Sequence, residues 1–132
     1  MSPRDALPGG ELERAVLRTL WEKGSASVRE IHERIGVPAG LVYTTVAKVL
    51  DRLYAKGLVS RRRVGLAFTY RPRLHRDAVE RALTRRLVAS LLEAEPRPAI
   101  ARLVEEVESV DPELLDALAR EVAARRRSRR GP

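Results

Sequence analysis

The chain has no cysteine, which excludes a disulfide framework, a thiolate metal site, a cysteine nucleophile and a thiol redox switch. It has two histidines, His32 and His75, and neither has neighbours at ligand spacing, so no metal and no cofactor is expected. Apolar runs are short: none approaches the roughly 18 residues that a membrane span needs. The opening MSPRDALPGG lacks the apolar core of a secretory signal, so a soluble, cytoplasmic protein with no membrane partner is expected. Aromatic residues are also few. Trp21, Tyr43, Tyr54, Phe68 and Tyr70 are all of them, and they fall between residues 21 and 70. The rest of any core must be Leu, Val, Ile and Ala.

What is abundant is positive charge. Across 132 residues, 26 Lys and Arg face 18 Asp and Glu, a formal +8, and this balance points to a polyanionic partner. The length suits one compact domain or two small lobes. The charge is unevenly placed. Residues 36–73 carry Lys48, Arg52, Lys56, Arg61, Arg62, Arg63, Arg71 and Arg73 against a single acid, Asp51. Residues 75–122 are net acidic, and a run of arginines follows at 125, 126, 127, 129 and 130.

Apolar residues recur at helical spacing from Glu11 through Leu12, Val16 and Leu20 until Gly24. Ser27-Val28-Arg29-Glu30 is a capping box, in which a hydroxyl and a carboxylate each satisfy an otherwise orphan backbone N–H; a short helix follows to Gly36, with Val28, Ile31 and Ile35 inward. After the tight turn at Gly36-Val37-Pro38, a third helix is expected to about Lys56. Its apolar stripe is Val42, Val46, Val49, Leu50 and Leu53, about 100° wide, opposite Thr44, Lys48 and Asp51. Gly57 can end it. Leu58 to Val64 and Ala67 to Arg71 then read as a hairpin, with Phe68 and Tyr70 on one face. Beyond Pro72 the strand character vanishes. A fourth helix runs through Val79, Leu83, Leu87 and Leu91 and is expected to stop at Pro96 and Pro98. Ile100, Leu103, Val104 and Val107 mark a fifth. Asp111-Pro112-Glu113 opens a sixth.

The fold class expected is therefore mainly α with a small β-hairpin wing: a winged helix-turn-helix at 1–74, a helical dimerisation lobe at 75–124 and a disordered Arg-rich tail at 125–132. In a helix-turn-helix the second helix lies in the major groove of double-stranded DNA. Thr44, Thr45 and Lys48 then face base edges, and Arg52 faces phosphate nearer the end where the helix leaves the groove. Strand alternation puts Arg61 and Arg63 on one side of the wing as its DNA contacts, with Arg62 opposite. Arg29 and Lys56 read either as backbone contacts or as solvated charges. Tyr43 and Tyr54 could stack on sugar or bases or pack at the core's edge. His32 reads as solvated. Winged helices also dock proteins, so a docking module and a sequence-indifferent architectural DNA binder stand as alternatives. The concentration of cations on the third helix and wing favours a DNA reader, which must displace counterions from phosphate. No arrangement of residues suggests an enzyme.

The segments GELERAVLRTLWEKGSASVREIHERI, LVYTTVAKVLDRLYAKGLVSRRR and FTYRP resemble the penicillinase-repressor and methicillin-resistance-repressor family (BlaI/MecI-like) in its actinobacterial form, over about residues 10–123. Tyr43 to Val59 is the most specific stretch. The resemblance implies a homodimeric repressor on inverted-repeat operators, commonly built around TACA and TGTA. It also implies a regulatory protease as a partner. The Asn-Phe bond cut in the resistance repressors is absent, however; the corresponding segment is Ala99-Ile100-Ala101-Arg102-Leu103. The cysteines of the copper-responsive branch are absent too. Dimerisation has its own physical reason: short, one-sided helices need a second copy to cover Leu87, Leu91, Ile100, Leu103, Leu114 and Leu118.

Overall fold

Helix α1 (Glu11–Lys23) starts after Gly10, carries Glu11 and Glu13 in its first turn where the helix dipole favours anions, and stops at Gly24, whose φ of 86° suits a residue without Cβ. The computed structural model describes residues 9–131; Pro132 and most of the opening segment considered for a leader lie outside the described residues. The chain forms two compact units, 1–86 and 87–132.

In the first unit, β1 (Ala26–Ser27) leads into α2 (Val28–Ile31), which continues as a π-helical turn over His32–Gly36. Helix α3 (Tyr43–Ala55) follows, then β2 (Val59–Val64) and β3 (Ala67–Pro72) joined at Gly65-Leu66. Gly65 takes φ 65°, as a two-residue hairpin turn requires. The sheet has three antiparallel strands in the order β1-β3-β2, with Ala26 opposite Tyr70 and Arg61 also opposite Tyr70 from the other side. Strand β1 was not expected, because two residues are too few to show a period. Val16, Leu17 and Leu20 of α1, Ile31, Val46, Val49, Leu50 and Leu53 of α3, and Leu58, Val59 and Tyr70 build the core, with Trp21, Val28, Ile35 and Phe68 packed against it. Each fully buried aliphatic side chain contributes about 1.5–3 kcal/mol.

Several expectations are corrected by the fold. Val42, placed in the apolar stripe, is instead the extended N-cap of α3 and is 64% exposed, since the helix starts one residue later. The two compact units divide inside α4 (Arg76–Leu91). The first turn of that helix is tied to the first unit: Val79 is buried, the Trp21 indole N–H donates to the Leu74 carbonyl at 3.1 Å, and the Arg76 guanidinium lies 5.9 Å over the Trp21 ring. His32 is not merely solvated. Its Nε2 is 2.9 Å from the Leu41 carbonyl, and its ring meets Tyr43 edge-on at 5.8 Å.

The second unit holds α5 (Pro96–Val110) and α6 (Pro112–Arg130), which pack against each other. Pro96 and Pro98 open α5 rather than ending α4, which stops at Leu91; a first helical turn needs no donor from proline. Asp111 ends α5 and caps α6, its carboxylate accepting from the Glu113 N–H at 3.0 Å. Helix α6 continues through the arginines to Arg130, where a disordered tail was expected. Alanine and arginine are good helix formers, and cations suit a helix C-terminus.

Candidate nucleic-acid interface

Local hydrogen bonds cap the start of α2. The Ser27 hydroxyl accepts from the Glu30 N–H at 3.2 Å and the Glu30 carboxylate accepts from the Ser27 N–H at 3.1 Å, so both halves of the expected capping box are made. Lys23 donates to the same carboxylate at 2.8 Å. That bond, and then those from Ser27, lower the Glu30 pKa from 4.5 to about 2. Gly36 is buried where any Cβ would overlap the His32 ring and press on Val46. With His32 bonded to Leu41, this close approach holds the turn that delivers α3.

Helix α3 buries Val46, Val49, Leu50 and Leu53 and turns Tyr43, Thr44, Lys48, Asp51 and Arg52 outward, with Thr45 half-buried. Lys48 meets no carboxylate among the described residues. The C-terminal end of the helix is held differently. Glu13 of α1, its side chain 9% exposed, accepts from the Lys56 ammonium at 3.1 and 3.2 Å, lies 4.0 Å from Arg52 Nε and accepts from the Gly9 N–H. Lys56 is thus anchored within the fold, while Arg52 stays exposed beside the same carboxylate. Arg29 pairs with Glu33 at 3.2 Å, both well exposed, which leaves its charge at the surface.

The wing alternates as its sequence suggests: Arg61 and Arg63 share a face with Phe68 and Tyr70, and Arg62 faces away with Ser60, Thr69 and Arg71. Arg61 is turned into the body of the unit. Its guanidinium lies 4.0 Å from the Tyr54 ring centre and 4.3 Å from that of Phe68, and it donates to Asp51 at 3.2 Å. A hydrogen bond with Tyr70 is the largest influence raising its pKa. Arg63 lies 5.8 Å over Phe68 and is exposed. Arg62 and Arg71, with Ser60 and Thr69, line a shallow cationic depression that was not expected from the sequence, although the period-two alternation carried the signal.

Of the candidate dimer residues, Leu87 is 67% exposed, and Ile100, Leu103 and Leu114 are exposed by 41 to 49%. Leu91 and Leu118 are half-buried. Val104, Leu115, Leu118, Ala119 and Val122 line an open apolar groove on α5 and α6. No group of three or more candidate metal ligands exists among the described residues, and no helix there is long and apolar enough to cross a membrane.

This architecture, mainly helical with a small three-stranded wing, is a winged helix-turn-helix. The transcriptional regulator BlaI of Mycobacterium tuberculosis, matched in two strains, is 40% identical over 116 residues covering 86% of this chain and 82% of the relative. A solution structure of the DNA binding domain of the repressor BlaI aligns at a TM-score of 0.48 and 22% identity, covering 53% of this chain and 87% of that one. The profile of the penicillinase repressor family matches residues 9–124, and with the 40% identity to a BlaI regulator over most of both chains the protein belongs to the penicillinase repressor family.

Proposed function

We propose that the protein is a homodimeric transcriptional repressor that occupies a pseudo-palindromic operator and blocks transcription. The observation that carries this reading is the face of α3 where exposed Thr44, half-buried Thr45 and Lys48, which meets no carboxylate among the described residues, stand on a helix-turn-helix whose flanks are cationic. Thr44, Thr45 and Lys48 read base edges, Tyr43 lies at the groove entrance, and Arg52, Arg63 and Arg29 meet phosphate. Arg61, expected among the phosphate contacts, is assigned to holding the wing, because its charge is already engaged by two rings and Asp51. Leu87, Leu91, Ile100, Leu103, Leu114 and Leu118 supply the apolar surface for a second copy, and two heads on one twofold axis match a palindrome. Such a repressor works in the cytoplasm and catalyses no reaction. A regulatory protease is the partner that the family suggests; it would have to open α5, since Ala99–Leu103 is helical.

The test is a gel-shift titration with fragments selected from the organism's own genome, at two salt concentrations. Affinity for selected fragments should exceed that for random duplex by about 10³ or more. It should fall by roughly three decades between about 50 and 200 mM salt if some six phosphates are contacted. A ratio near unity points to an architectural binder, and no shift at all to a docking module.

A further inference from the structure

We infer that the last turns of α6 form a second, sequence-indifferent binding site for the sugar–phosphate backbone of duplex DNA. The inference rests on the DNA-binding function proposed above. Arg125, Arg126, Arg127, Arg129 and Arg130 put five guanidinium groups into six helical positions, all exposed. At about 100° per residue, Arg126, Arg129 and Arg130 share one side, and Arg125 and Arg127 flank it.

Their charge is unspent. Among the described residues none of the five has a carboxylate, ring or hydrogen-bond partner, whereas Arg29, Arg34, Arg61, Arg76 and Arg81 all pair with acids. Acids are near in sequence, Glu121 one turn before Arg125 on α6 and Glu93 and Glu95 just ahead of α5, yet none forms an ion pair with the five arginines among the described residues. Glu105, Glu106 and Glu108 lie within six residues of Asp111 along α5, while the arginines begin fourteen residues beyond it along α6, about 12 Å or more away along the helices.

Arg125 and Arg129, and Arg126 and Arg130, are like charges four residues apart, which repel on a helix. The helix dipole offsets only part of that. An anion spanning several arginines relieves it, and phosphates along a duplex supply closely spaced charges that guanidinium groups bind in bidentate fashion.

The experiment uses the full chain and a variant with Arg125, Arg126, Arg127, Arg129 and Arg130 all changed to Gln, which keeps helix propensity. Fluorescence anisotropy with a random-sequence duplex, over a series of salt concentrations, reads the slope of log affinity against log salt. The variant's slope should be shallower by about 2–4, at roughly 0.9 for each phosphate no longer neutralised. Changing the same five residues to Lys should restore most of it. Slopes that agree within about 0.5 overturn the inference. So does a variant whose sedimentation shows altered subunit association with the slope retained, for the cluster then serves protein association. If the unmodified chain binds no duplex at all, the DNA-binding function falls as well; if it binds and only the variant comparison is flat, that function stands.

Discussion

Glu13 of α1 and Lys56 at the end of α3 meet at 3.1 Å across forty-three residues of sequence, with their side chains 9% and 25% exposed. The pair fixes the C-terminal end of the proposed recognition helix to the first helix of the fold. Removing the cation leaves a nearly sealed carboxylate with the Gly9 N–H and the more distant Arg52 guanidinium only, which costs about 1–3 kcal/mol. Lys56→Met should therefore lower urea stability by that amount, and adding Glu13→Gln should restore part of it. Strictly additive losses would show that the two groups do not act as a pair.

The wing is pinned through Arg61. Its planar guanidinium fits between Tyr54 and Phe68 while reaching Asp51, and a lysine ammonium cannot reproduce stacking and directional donation together. Arg61→Lys and Arg61→Ala should both speed hydrogen exchange of the β2–β3 amides and lower stability, the alanine variant more than the lysine. A lysine variant with unchanged exchange contradicts the pinning role.

Base reading and phosphate binding separate by mutation. Thr45→Ala should narrow the gap between selected and random DNA, by about 1–3 kcal/mol at the affected base pair. Arg52→Ala should weaken both kinds of DNA by similar factors and lower the salt slope by about one. Identical profiles for the two variants would overturn the assignment.

Subunit association is best probed at exposed positions. Leu91 is half-buried, so a charge there would confuse folding with assembly. Leu103 and Leu114 are 41% and 44% exposed. Leu103→Glu and Leu114→Glu should leave the helical circular dichroism intact and shift sedimentation from dimer to monomer. Two chains together in both variants would place the interface elsewhere.

Acid should loosen the helix-turn-helix at its capping box. The Glu30 carboxylate is depressed from 4.5 to about 2 by Lys23 and Ser27. A carboxylate with a lowered folded pKa gives stability that is present above 4.5 and fades as pH falls toward 2. The group lies at the surface, so solvent screening keeps the effect under about 1 kcal/mol. Glu30→Gln should be less stable than the parent at pH 7, and the two should converge near the bottom of that window. A pH-independent difference would remove the charge from the account.

Much of this was legible along the chain because the governing interactions are local. The Ser27–Glu30 box, the Asp111 cap, the Gly65 turn and the apolar stripe of α3 each need only residues a few positions apart, and the alternation of Arg61, Arg62 and Arg63 follows from the pleat. Residue order also set the cationic run on the face proposed to bind DNA. Which of those cations remain available was decided in three dimensions. Arg61 and Lys56 look like their neighbours in the sequence, yet one is sandwiched by rings brought from α3 and β3 and the other is met by a carboxylate from α1. The two-residue strand β1 and the His32–Leu41 bond also exist only because distant segments meet. Periodicity reports the face on which a side chain sits; whether its charge is spent depends on partners brought together by long-range packing, and no local pattern encodes them.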